Sequence, residues 1–158
     1  MKITITGSLG HISKPLTQEL VQKGHSITVI SSNAERKKDI EALGAAAAIG
    51  TVEDVHFLTS AFKGADAVYC MLPVPDLFDP NLDLMMAANT VADNYARAIR
   101  QSGVKRVIHL SSIGAHTDKG NGVLLFHYNV ERILKELPSD VAITHMRPVA
   151  FYYNLFGL

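Results

Sequence analysis

Short apolar runs alternate with longer helix-period stretches along the whole chain, and glycine closes most of the longer ones. No other feature restricts the fold as tightly. Residues 3–6, 26–31, 45–49, 66–72, 106–111 and 141–146 have the length and apolar character of strands, although the alanines of 45–49 make that strand weak. Residues 10–22, 34–43, 53–62, 82–102 and 123–136 have helix-like patterns, with Gly24, Gly44, Gly64 and Gly103 as stops. Strands joined by helices of this length form right-handed crossover units, which set neighbouring strands parallel. The strands are apolar nearly throughout rather than alternating, as required where helices cover both faces of a sheet. The expectation is one α/β domain, a doubly wound parallel sheet in three α/β/α layers. Residues 114–122, rich in glycine and polar side chains, are expected to be a mobile loop.

Composition narrows what such a domain can do. Fifteen basic and fifteen acidic residues cancel over 158 positions, leaving no field to hold a nucleic-acid backbone. No apolar run reaches the ~20 residues that span a bilayer, so no membrane contact is expected. Cys70 is the one cysteine and can form no internal disulfide; within Ala67-Val68-Tyr69-Cys70-Met71-Leu72 it reads as a small buried side chain. Met1-Lys2 leads straight into the first strand, and a reducing, cytoplasmic setting is the expectation. The seven histidines offer no pair at metal-ligand spacing with a third ligand nearby, so no metal is expected. Ser111-Ser112 has no matching His/Asp pattern for a hydrolytic triad. His109 and His145 read as strand residues and the other histidines as surface or loop, with His116 and His127 left as side chains able to donate a proton to a substrate.

The most informative residues are Gly7-Ser8-Leu9-Gly10-His11-Ile12-Ser13, between the first strand and the first helix. A glycine-rich turn in that position binds the pyrophosphate of a dinucleotide. Gly7 turns the chain off the strand, and Gly10 lets backbone approach the anion without a Cβ in the way. The first amides of the helix lack internal partners and point along its dipole at negative charge. Ser13 stands where such a motif carries its third glycine. At the end of the second strand an acidic residue would take the ribose 2′-hydroxyl and select NAD. The chain has Ser31-Ser32-Asn33 there, followed by Arg36, Lys37 and Lys38, which favours a 2′-phosphate and NADP, with NAD still possible. The competing reading makes residues 36–38 a solvated helix face paired with neighbouring acids.

Four blocks follow one another in order: Thr6-Gly7-Ser8-Leu9-Gly10-His11-Ile12, Ala61-Phe62-Lys63-Gly64-Ala65-Asp66-Ala67-Val68, Gly103-Val104-Lys105-Arg106-Val107-Ile108-His109-Leu110-Ser111-Ser112 and Met146-Arg147-Pro148-Val149-Ala150-Phe151-Tyr152-Tyr153-Asn154. Together they resemble the NmrA-like group of atypical short-chain dehydrogenase/reductases, over the whole chain. The resemblance implies a Rossmann-type NAD(P)-binding fold. It implies that Gly7, Ser8, Leu9, Gly10, His11 and Ile12 cradle the pyrophosphate, and that Ser32, Asn33 and Arg36 surround the adenosine ribose. Met71, Leu72 and Pro73 would line the middle of the cofactor. Ser111 and Ser112 would lie near the nicotinamide, with Pro148 and Phe151 beside its ribose and ring.

The departures from that family are as informative. It commonly has arginine at the place of Ser32, and an acidic residue near the adenine where this chain has Gly50-Thr51. The Tyr-x-x-x-Lys pair of classical short-chain dehydrogenases is absent: anchored on Glu131, its two positions fall on Val123 and His127, and Tyr128 is one residue off. No catalytic residue is therefore assigned from sequence. Relatives of this type continue into a smaller C-terminal substrate lobe, so residues 1–158 are expected to be the dinucleotide-binding domain without it. The aromatic, apolar tail at residues 151–158 is expected to be covered by another lobe, a second copy or a partner chain. Two functions remain open. One is a reductase passing hydride from NADPH to a quinone-like or other electron-poor small molecule. The other is a non-catalytic NADP(H)-binding redox sensor of the NmrA type.

Overall fold

The computed structural model describes residues 1–73 and 82–153. Pro75, expected to help end the fourth strand, and tail residues 154–158 lie outside the described residues. The elements run β1 (Lys2–Ile5), α1 (Ser13–Gln22), β2 (Ser26–Ser31), α2 (Lys37–Ala42), β3 (Ala46–Ile49), α3 (Val55–Phe62), β4 (Ala67–Met71), α4 (Leu84–Ser102), β5 (Arg106–Leu110), α5 (Leu125–Lys135) and β6 (Ala142–Met146). All six strands are parallel, in the order β3-β2-β1-β4-β5-β6. That order reverses between β1 and β4, the switch point where a crevice opens at the carboxyl ends of the strands.

Helix starts are the main difference from the sequence reading. α1 begins at Ser13 rather than residue 10, because the glycine turn stays non-helical through residue 12. Single 3₁₀ turns, Ala34–Arg36 and Gly122–Leu124, precede α2 and α5. At the first of these the Asn33 carboxamide oxygen accepts from the Glu35 amide at 2.8 Å, holding the turn tight before the helix proper. Asp54 caps α3 and Asp83 caps α4 through their side chains, and Gly103 ends α4 in the left-handed conformation, at φ 76°. The loop 114–122 is tied down by Asn121, whose amide donates to the Thr117 carbonyl at 2.7 Å and the Gly114 carbonyl at 3.4 Å.

Two apolar layers flank the sheet. On one face α3, α4 and α5 bury Val68 and Cys70 of β4 and Val107 of β5 together with Leu58, Phe62, Tyr95, Ile99, Val130 and Leu134. The Tyr95 hydroxyl reaches through this layer and donates to the Met71 carbonyl at 2.7 Å, fixing the end of β4. On the other face α1 and α2 cover Ile5, Ile27 and Val29 with Ile12, Leu16, Leu20 and Ile40.

Helices cover both faces, as expected, but coverage of the second face is uneven. Among the described residues no helix lies over β5 and β6 there. Ile108 and Leu110 are only partly buried, and Ala142, Thr144 and Met146 are exposed, Met146 by 51%.

Candidate functional site

The turn after β1 is built by strain and close approach. Gly7 has φ 92° and Ser8 φ 52°, both left-handed. A Cβ on Gly7 would collide with the Met71 sulfur and come within 2.5 Å of the Ser13 hydroxyl, so only glycine fits. The Ser8 amide donates to the Ile30 carbonyl at 3.1 Å and its hydroxyl to Ser31 at 2.8 Å, which pins the turn to the end of β2. Ser13 is fully buried, and its hydroxyl donates to the Thr6 carbonyl at 2.8 Å. Serine at the third glycine position thus ties α1 to β1 by a hydrogen bond.

Backbone accounting shows what the turn can hold. The Gly10 amide donates to Gly7 and the Lys14 amide to Gly10, whereas the amides of Leu9, His11, Ile12 and Ser13 have no protein acceptor among the described residues. Ile12 at the helix start provides no side-chain cap, and the first turn carries no acid. Unpaired donors at a positive helix end, beside a glycine that admits no side chain, fit a pyrophosphate.

The expected ribose residues sit at the neighbouring strand end. Ser32 and Arg36 are exposed, and Arg36, Lys37 and Lys38 form no ion pair among the described residues. The alternative in which neighbouring acids neutralise these cations therefore finds no pairing. Asn33 spends its carboxamide oxygen on the 3₁₀ turn. Beyond β3, Gly50 is set by packing: a Cβ there would stand 2.6 Å from the Phe57 ring.

Across the switch point lies a cavity of about 360 Å³. Met71, Leu72, Ser111, Ser112, Pro148 and Phe151, all expected near the cofactor, line it; Pro73 does not. Met71 joins the cavity to the turn, since its sulfur is 3.4 Å from the Ser13 hydroxyl. The chain beyond β6 folds back over the same crevice, with the Tyr153 ring stacked on His11 at 4.6 Å and on Phe151 at 5.4 Å.

Behind the cavity stands a polar network that the sequence reading missed. Glu131, 1% exposed on α5, accepts from the Ser111 hydroxyl at 2.6 Å and from Arg147 through Nε at 2.8 Å and Nη2 at 2.5 Å. Burial pushes the Glu131 carboxyl up, but the hydrogen bonds from Arg147 and Ser111 outweigh it and hold the group at about 2. The Ser111 hydroxyl is therefore turned away from the cavity, and of the serine pair Ser112 has the hydroxyl free of protein partners among the described residues. Next to this network the His109 and His145 rings meet edge to face, with 3.0 Å between their Nδ1 atoms. Burial, then the neighbouring imidazoles, push His109 down to about 3.

His127 also departs from the sequence reading. It is not a surface histidine: it lines the cavity beside Leu124, and its Nδ1 is buried without a partner. His116 is exposed in the 114–122 loop and is not part of the lining.

Comparison with known proteins agrees with this geometry. Residues 7–154 match the model of a family described as NAD(P)H-binding. The sterol demethylase protein B of Methylococcus capsulatus is 26% identical over 134 residues, covering 82% of this chain and 40% of that protein. The Citrobacter triphenylmethane reductase, solved with NADP(H), superposes with a TM-score of 0.79 at 21% identity, over 98% of this chain and 51% of that one. The Escherichia coli NADPH-dependent quinone oxidoreductase, solved with NADPH, gives 0.78 at 22% identity, over 98% and 51%. The chain spans less than half the length of the curated relatives it matches. These structural likenesses show the fold.

Proposed function

The chain belongs to the NAD(P)H-binding family, and from that premise we propose that it is the cofactor domain of an NmrA-like reductase, using NADPH to reduce a quinone-like or other electron-poor small molecule. One observation carries the reading. The unpaired amides of residues 9 and 11–13 and the 360 Å³ cavity share a wall at Met71, so one extended dinucleotide can lie with its phosphates on the turn and its ring in the cavity. Gly7, Ser8, Leu9, Gly10, His11 and Ile12 would hold the pyrophosphate. Ser32 and Arg36, exposed and free of acids, would take the 2′-phosphate, with the Asn33 carboxamide nitrogen beside them. Met71, Leu72, Ser112, Pro148 and Phe151 would face the nicotinamide half. When bound, reduced nicotinamide supplies a hydride.

The protein's part is positional: mostly apolar walls exclude water, and the Glu131–Arg147 pair fixes the strand ends that form them. The names of the quinone oxidoreductase and the dye reductase support an electron-poor acceptor. The cytoplasmic setting is part of the same proposal.

Fluorescence titration with NADPH and NADH tests it. NADPH is expected to bind more tightly, and Arg36→Ala to weaken NADPH about tenfold while leaving NADH unchanged, the loss of one charge-assisted phosphate contact. Equal affinity for both cofactors in the unaltered chain would remove the NADP assignment, and no binding of either would remove the cofactor site.

A further inference from the structure

Glu131, Ser111 and Arg147 satisfy one another, whereas His127, which shares the cavity wall with Ser111, takes no part in their hydrogen bonds. Glu131, one helical turn further along α5, already accepts from Ser111 and both arms of Arg147. His127 makes no hydrogen bond among the described residues, and its Nδ1 is buried and unpartnered. A half-buried imidazole whose buried ring nitrogen lacks a partner is costly and serves no packing purpose that a leucine would not serve better. Leu124, three residues earlier on the same side of the helix, lines the cavity as well, so this face of α5 is directed at the space between β4, β5 and the chain beyond β6.

We infer that His127 is the proton donor to a carbonyl-type acceptor bound in this cavity, an inference that rests on the reductase reading above. The chemistry fits the acceptor class. A quinone or conjugated ketone that took up a hydride at carbon, as bound NADPH would supply it, would place the C=O π pair on oxygen. That oxygen takes the proton of the His127 imidazolium, an O–H bond forming as an N–H bond breaks, and the ring regains its proton from water. Burial holds the His127 pKa below its ordinary value, with Glu131 opposing, which makes the protonated ring a stronger acid than a solvated one. The titratable groups that act on it are Glu131 on its own helix and His109 on β5; behind these stand His145 on β6, against His109, and Arg147, against Glu131, and the α4 charges Asp93, Arg97 and Arg100 are exposed.

Acceptors that differ in proton demand separate this role from a structural one. A 1,4-naphthoquinone needs a hydride and a proton, whereas a cationic triarylmethane dye needs only a hydride at its central carbon. His127→Gln is expected to lower the ratio of quinone to dye turnover tenfold or more, through kcat rather than KM, with NADPH affinity retained. The acid-side rise of quinone turnover, with a midpoint below 6.5, is expected to flatten in the variant. Equal loss of both activities, or loss of neither, overturns the assignment. A second readout is independent of turnover: addition of 1,4-dihydroxynaphthalene to the NADP-bound chain is expected to shift the His127 ring nitrogen resonances. Unmoved resonances overturn the His127 role while leaving the cofactor site intact, and failure to bind NADPH overturns the reductase reading itself.

Discussion

Arg147→Met is the most searching perturbation of the site, because it removes one arm of a pair whose other member cannot reach water. Glu131 is 1% exposed, while the Arg147 side chain is 38% exposed. Truncating one partner of a buried pair costs roughly 3–5 kcal/mol. The pKa gives a similar figure, since a carboxyl moved from 4.5 to about 2 by its partners is stabilised by roughly 3 kcal/mol. Solvent at the arginine end lets some water follow the lost side chain, so about 2–3 kcal/mol is expected at pH 7, or roughly 4–12 °C in Tm for a chain of this size.

The pH dependence of that loss is diagnostic. In the native protein the folded pKa of Glu131 is depressed, so its contribution is full above 4.5 and is lost as the pH falls toward 2. In Arg147→Met burial dominates and the folded pKa rises above 4.5, so the penalty is present at neutral pH and vanishes once the carboxyl is protonated. The gap between the two proteins is expected to narrow by at least about 1 kcal/mol between pH 7 and pH 4. Glu131→Gln/Arg147→Met, which removes both charges and keeps an acceptor for Ser111, is expected to recover most of the loss. Urea unfolding of the three proteins at both pH values measures this. A cost under about 1 kcal/mol at pH 7, or a gap independent of pH, would refute the reasoning and make the pair equivalent to one at the surface.

Three further outcomes are expected. Gly7→Ala forces a side chain into the Met71 sulfur at a positive φ and should cost about 2–4 kcal/mol, with loss of NADPH binding; an unchanged unfolding midpoint would contradict the packing of the turn. His109 has a folded pKa of about 3 against 6.5 unfolded, so the unfolded chain binds more protons between these values and stability falls as the pH drops below 6.5. Urea midpoints at pH 7 and pH 5 should show that slope, and it should be shallower in His109→Gln. Cys70 is fully buried and burial pushes its thiol up, so a thiol-specific chromogenic reagent should label it only at the rate of unfolding; rapid labelling of the native protein would show that β4 is open to solvent.

Most of the fold was legible because the two hydrophobic periods differ and glycines punctuate them: β2 runs over residues 26–31 as read, and the other strands differ by a residue at one or both ends. The tight turn after β1 was legible from Gly7 and Gly10 in a strand-to-helix context. The Glu131–Arg147–Ser111 network was not, because its members lie 16 and 20 residues apart and meet only when β5, β6 and α5 are packed. Arg147 was visible within the Met146-Arg147-Pro148 block, but nothing local to it names a partner. His127 was misread for a related reason: helical spacing places Leu124 and His127 on one side of α5, yet only the ends of β4 and β5 make that side a cavity wall. Ser13 was legible as standing at the third glycine position, but not that its hydroxyl bonds to the chain leaving β1, which a glycine would only have approached.

Among the described residues no helix covers the second face of β5 and β6, and this sets a gradient of local stability across the sheet. β1 and β2 are sandwiched between helices, so their amides should exchange with solvent only through global unfolding. Among the described residues β6 is an edge strand with one covered face, held by its ladder to β5 and, just past its end, by the Arg147 clamp. Its amides should exchange through a smaller, cheaper opening, and that opening carries with it Pro148, Val149 and Ala150, which wall the cavity. The cavity therefore has one rigid jamb, at Met71, and one hinged side. Whatever enters or leaves the cavity on that side would pass at a rate set by β6.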